Sequence, residues 1–149
     1  MPLPPELHHY KALRLMSRPA RATLAALLQA AADAQLDLTT YSSTRAVIVS
    51  VGDYDPLPDE LRAADARPDY ATLRRHTHPL WLLKTLPNMA AAHFAILTKS
   101  GGPGHTVADR DQAVRLARSL IASGEADTVL RADVPTASAG VLGRIRVSQ

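Results

Sequence analysis

Behind Ser17-Arg18-Pro19 the apolar residues Ala20, Leu24, Leu27, Leu28 and Ala31 recur at helical spacing, with Leu36 near the end. Serine suits an N-cap and proline a first turn, and the alanine density favours a helix, predicted over 18–36. Arg45-Ala-Val-Ile-Val-Ser-Val51 then changes the pattern to a β-branched run that Gly52-Asp53 stops. Its apolarity is continuous rather than alternating. That predicts a strand buried on both faces, as in a parallel sheet.

Residues 53–80 differ in kind. Pro56, Pro58, Pro68 and Pro79 stand among many charges, which predicts a long excursion with short helical turns near 58–65 and 70–76. Such a loop in a small domain usually covers or binds something. From Pro87 to Thr98, the residues Met89 to Ala92 and Phe94 to Leu97 leave almost no polar face, so this helix is expected in a core or an interface. Gly101-Gly-Pro-Gly104 breaks the chain and His105-Thr-Val107 reads as a short strand. Asp109 or Asp111 caps a helix carrying Val114, Ala117, Leu120 and Ile121, with Gly124 as its C-cap. Residues 127–131 and 141–147 are the closing strands. The alternation predicts one α/β layered domain over 16–149, behind a Pro-rich extended lead-in at 1–15.

Composition narrows the function. A chain of 149 residues, 46% hydrophobic and 21% charged, can bury one core and is too apolar for a disordered tail. It holds no cysteine, which excludes a disulfide framework, a thiolate metal cluster and a cysteine nucleophile. Aromatics make up only 4%, no basic block of five or six residues occurs, and the net charge is +3, so a nucleic-acid partner is not expected. No apolar run approaches the roughly 20 residues that span a bilayer. Met1-Pro-Leu-Pro-Pro-Glu6 lacks the basic and apolar regions of a signal peptide. A soluble, cytoplasmic protein is expected.

The middle of the chain carries a resemblance. Leu86-Pro-Asn-Met-Ala-Ala-Ala-His-Phe-Ala-Ile96, Gly102-Pro-Gly-His-Thr-Val107 and Ile121-Ala-Ser-Gly-Glu-Ala-Asp127 follow one another in the order and spacing of the N-terminal half of a β-ketoacyl synthase. In that family an Asn-x-x-Ala-Gly-His helix leads to a Gly-Pro-Asn-x-Thr-Val strand, and the nucleophile helix ends in Ser-Gly-x-Ala-Asp. Upstream, Met16 to Leu24 with Ala34-Gln-Leu-Asp37 resembles the family's early helix, and Arg45–Asp53 its next strand. The match covers roughly 16–131, with Ala92 and Gly104 standing where the family often has Gly and Asn. It implies an α/β domain resembling one half of the thiolase-type fold.

The departures bear on function. In a synthase the Thr-Val strand runs into an Ala-Cys-x-x-Gly elbow, where the helix N-terminus lowers the thiol pKa and binds the thioester oxyanion. Here Val107 runs into Ala108-Asp-Arg-Asp-Gln-Ala113. The thiol is gone, no Ser or Thr replaces it, and the elbow is several residues shorter. Asp109 and Asp111 would disfavour a thiolate or an oxyanion there, although they suit a helix start. The decarboxylating histidines of the family's C-terminal half, and its first strand, have no counterpart in the 149 residues. The resemblance therefore implies a chain that does not condense acyl groups, similar in logic to chain-length factors.

Other constellations read more plainly. His76-x-His78 and His8-His9 lie in loops without a metalloenzyme motif, so surface histidines are favoured over metal ligands and no metal or cofactor is expected. His93 and His105 fall on motif positions of the resemblance, with a satisfied buried histidine as the favoured reading. Pro103 removes an amide from Gly101–Gly104 and no Lys-Ser/Thr follows, so a turn is favoured over a phosphate cradle. Asp53, Asp55, Asp59 and Glu60 are read as turn caps. Arg74 and Arg75 form a solvated face or a contact for an acidic acyl carrier protein.

The expectation is a non-catalytic ketosynthase-like accessory subunit of bacterial fatty-acid, polyketide or aryl-polyene-type synthesis. It would pair as a homodimer, or as a heterodimer with a synthase, through the edge strand His105, Thr106 and Val107. An acyl-chain or small-ligand binding protein on the same scaffold is the alternative. A new enzyme using Asp109, Asp111 or His105 is a third reading.

Overall fold

The computed structural model describes residues 7, 9–54, 71 and 80–143. A 3-10 helix, Lys11–Leu15, precedes α1 (Arg18–Asp33) and β1 (Arg45–Ser50). There follow a short α2 (Trp81–Lys84), α3 (Met89–Thr98), β2 (Gly104–Val107), α4 (Arg110–Ser123), β3 (Thr128–Asp133) and β4 (Ser138–Gly143). The four strands form one sheet in the order β2-β1-β3-β4. β1 lies parallel to both β2 and β3, and β4 runs antiparallel to β3. This is the α/β layered domain that the pattern of the chain predicts.

Local chemistry sets most element ends. The Ser17 side chain accepts from Ala20 N at 3.2 Å and caps α1, with Pro19 in the first turn. Leu24, Leu27, Leu28 and Ala31 line its buried face. The helix stops at Asp33 rather than 36 because Gln35 turns left-handed, at φ 53°, and the Leu36 amide reaches back to Ala31 O. β1 is buried along its whole length, as its unbroken apolarity requires. β4 begins at Ser138, earlier than the expected 141. A tight turn over Val134–Ala137 pairs Ser138 directly with Asp133, and Ser-Ala-Gly is a weak strand signal on its own.

The core has two layers. On one face α1 and α3 pack against Val47, Val49, Leu130 and Ala132, around a fully buried Phe94. On the other, Ala113, Ala117 and Leu120 of α4 cover Ala46, Ile48 and Val129. The lead-in is not extended throughout: Lys11–Leu15 is helical, and Leu7 and Met16 on either side are buried in the core. The expected turns near 58–65 and 70–76 lie outside the described residues, apart from Ala71.

Candidate functional site

The elbow between β2 and α4 is built by its own side chains. Asp109 takes the extended N-cap conformation, and its carboxylate accepts from Gln112 N at 2.8 Å. Gln112 returns the contact, its amide oxygen accepting from Ala108 N at 3.3 Å. The pair resembles a capping box, so two amides at the helix start are already satisfied. Asp111 stands exposed in the first turn, where its charge favours the helix dipole. Of the two carboxylates considered, Asp109 is the cap. Gly124 ends α4 in the left-handed conformation at φ 81°.

β2 forms one edge of the sheet among the described residues. Val47 N donates to Pro103 O and Val51 N to Val107 O, at 3.0 Å each. That alternation turns the Thr106 amide away from β1. The Thr106 side chain is exposed, His105 is half-buried, and Val107 packs on the α4 side of the core. Beside the edge runs a groove of about 220 Å³, lined by Asn88, Ala92 and Ala95 of α3 and by Gly104, His105 and Thr106. α3 is not covered on every side: Ala92 is exposed and Ile96 is 67% exposed.

The glycine turn answers to packing. A Cβ on Gly102 would come within 2.6 Å of the Arg45 carbonyl oxygen, and one on Gly101 would strike the Tyr41 ring. Only glycine lets the chain pass there. Arg45, which is buried, donates to Thr98 O at 2.9 Å and also to Asp37 O, tying the end of α3 to the start of β1.

His93 and His105 are not joined. His93 Nδ1 lies 2.5 Å from the Tyr10 hydroxyl, and burial holds its pKa below the usual imidazole value. His105 stands on β2 in register with Ile48 and borders the groove instead. Asp53 is exposed in the turn after β1. His8, Asp55, Asp59, Glu60, Arg74, Arg75, His76 and His78 lie outside the described residues. Among the described residues no group of three or more His, Asp or Glu is placed to hold a metal, and no helix is long and apolar enough to cross a membrane.

Two solved structures share this architecture. The chain superposes on the ishigamide ketosynthase/chain length factor with a TM-score of 0.63, at 23% identity over 86% of this chain and 37% of that one. It also superposes on a β-ketoacyl synthase from Burkholderia phymatum STM815, with a TM-score of 0.60, 19% identity and coverage of 87% and 32%. The fold is ketosynthase-like. This ketosynthase-like chain spans about a third of the length of those structures, 37% and 32%. No family model and no curated protein matches it.

The carboxyl ends of the ketosynthase-like sheet hold a group that the sequence reading missed. Ser50 Oγ donates to the Asp133 carboxylate at 2.8 Å, and Thr136 Oγ1 donates to its other oxygen at 2.7 Å. Burial alone would raise the Asp133 carboxyl, but the bonds from Thr136 and Ser50 and the Arg110 charge together hold it below the ordinary carboxylate value. Arg131 stands beside them on β3. Burial first, then the like charges of Arg110 and Arg118, lower its pKa. The available signal was an arginine inside the otherwise apolar run Thr128-Val-Leu-Arg-Ala132.

Proposed function

We propose that this chain is a non-catalytic ketosynthase-like subunit that acts by associating with a synthase in bacterial fatty-acid, polyketide or aryl-polyene-type biosynthesis. The observation that carries this is the elbow. Where the resembled family places its nucleophile, the Asp109 carboxylate occupies the Gln112 amide, and no thiol exists anywhere in the 149 residues. An anionic cap at a helix start opposes both a thiolate and an oxyanion bound at the helix amides. The ketosynthase-like fold supports the biosynthetic context.

Association is the natural role for what remains. The outward Thr106 amide on the β2 edge and the exposed Ile96 on α3 belong to surfaces that monomeric proteins usually protect. A second copy, or a ketosynthase, pairs there through His105, Thr106 and Val107. Arg74 and Arg75 are the proposed contact for an acyl carrier protein, and the cytoplasm is the proposed location. A second reading, an acyl-chain or small-ligand binding protein, draws support from the groove beside β2.

Incubating the purified protein with acyl- and malonyl-loaded carrier tests the catalytic half of the proposal. The expected result is neither acyl-enzyme nor ketoacyl product. Turnover above a no-protein control, abolished by Asp109→Ala, would overturn it.

A further inference from the structure

We infer that the pocket at the carboxyl ends of β1 and β3 binds a small oxyanion, a phosphate or carboxylate group, held by Arg110 and Arg131. This goes beyond the proposed function and stands whether or not the chain associates with a synthase.

Topology puts a crevice there. The connection from β1 to β2 runs through α3 on one face of the sheet, and that from β2 to β3 runs through α4 on the other. Strand order therefore reverses between β1 and β3, and open α/β sheets take ligands outside the strand ends at such a switch point. Ser50 and Asp133 end those two strands and are paired in register. Between them, β4 and the start of α4 lies a pocket of about 180 Å³. Beside Arg131, as its cross-strand partner on β4, stands Gly140, where an added Cβ would meet nothing within 4 Å.

Charge says what fits. Arg110 from the first turn of α4 and Arg131 from the middle of β3 both line the pocket, and Arg118 lies close enough to repel Arg131. Arg131 Nε is buried and has no hydrogen-bond partner among the described residues. Crowding like charges around a half-buried guanidinium is costly. The Asp133 carboxylate also lines the pocket and offsets part of the Arg110 charge, its two oxygens accepting from Ser50 and Thr136, so of the three arginine charges it can balance one. An oxyanion in the pocket offsets that repulsion and accepts from the guanidinium N–H groups that border it.

Size and polarity exclude an acyl chain. At about 180 Å³ the pocket holds a handful of waters, at roughly 30 Å³ each, and falls short of the ~300 Å³ where drug-sized ligands begin. The groove beside β2 is a separate site and is not part of this inference.

Calorimetric titration of the full chain with inorganic phosphate, with acetate, and with chloride at matched ionic strength tests the inference. Saturable binding of phosphate, acetate or both, and not of chloride, is expected; the stronger of the two identifies the preferred group. Arg131→Gln and Arg110→Gln should each weaken it about tenfold or more, as loss of a charge-assisted contact does. Gly140→Val keeps every charge and fills the pocket, so it should abolish binding while circular dichroism stays that of the folded protein. No saturable binding at tens of millimolar anion would overturn the inference. So would binding that Gly140→Val and Arg110→Gln leave unchanged.

Discussion

Tyr10 and His93 meet across 83 positions of sequence: the phenol oxygen lies 2.5 Å from the imidazole Nδ1, with the rings edge to face at a centroid distance of 5.4 Å. Burial raises the Tyr10 pKa and lowers that of His93, so both are neutral at ordinary pH. With the imidazole proton on Nε2, the hydroxyl donates to Nδ1. The contact fastens the segment before α1 onto α3, next to the buried Leu7.

A pH dependence follows from that pair. The folded pKa of His93 lies below the ordinary imidazole value of 6.5, so below about that pH the unfolded chain binds the extra proton first. Stability from this group is fully present above 6.5 and is lost as pH falls toward the folded pKa. Chemical denaturation from pH 7.5 to 5 should show the wild type weakening, and His93→Gln should flatten that dependence. An unchanged slope in the variant would dissociate His93 from it.

The α4 cap is a stability device. Asp109→Ala removes the acceptor for Gln112 N and should cost about 1 kcal/mol in urea unfolding. Asp109→Asn, which keeps a side-chain oxygen, should recover most of that. If the alanine variant were as stable as the parent, the cap would be idle.

Arg45 holds a buried junction through uncharged acceptors, donating to Thr98 O, to Ser100 Oγ and to Asp37 O. Removing the guanidinium leaves buried acceptors unsatisfied. Arg45→Leu should destabilise by about 1.5–3 kcal/mol, a magnitude typical of hydrogen bonds to charged groups. Arg45→Lys, a point charge with no fork, should restore only part. Equal stability of all three proteins would contradict this role.

Much of the fold was legible because its ends are marked by chemistry that works locally. Ser17 with Pro19, Asp109 with Gly124, and the unbroken run Arg45–Val51 each declare an element without help from distant residues. The end of α1 was not legible, since Gln35 adopts a left-handed turn usually left to Gly or Asn. Nor was the start of β4, where register with β3 overrides the weak propensity of Ser-Ala-Gly. The elbow could be read from Asp109 and Asp111 because cap and site coincide in sequence. The arginine pocket could not. Ser50, Arg110, Arg131 and Gly140 meet only once four elements are in register. The Tyr10–His93 pair stayed hidden for the same reason.

Two residues of α3 separate folding from association. Phe94 is fully buried, and Phe94→Ala should cost about 3–5 kcal/mol. Ile96 is 67% exposed, so Ile96→Lys should stay within about 0.5 kcal/mol of the parent while weakening self-association or binding to a synthase. Unaltered association by Ile96→Lys would remove α3 from the contact.

Light scattering at micromolar concentration, alone and with a ketosynthase added, tests the proposed associating role most directly. The expected mass is twice the 16.0 kDa of one chain, or that of a complex with the synthase. Thr106→Pro deletes the outward amide of β2 while sparing its ladder to β1, and should return the folded protein to 16.0 kDa. A parent chain that stays at 16.0 kDa under both conditions would contradict the proposal.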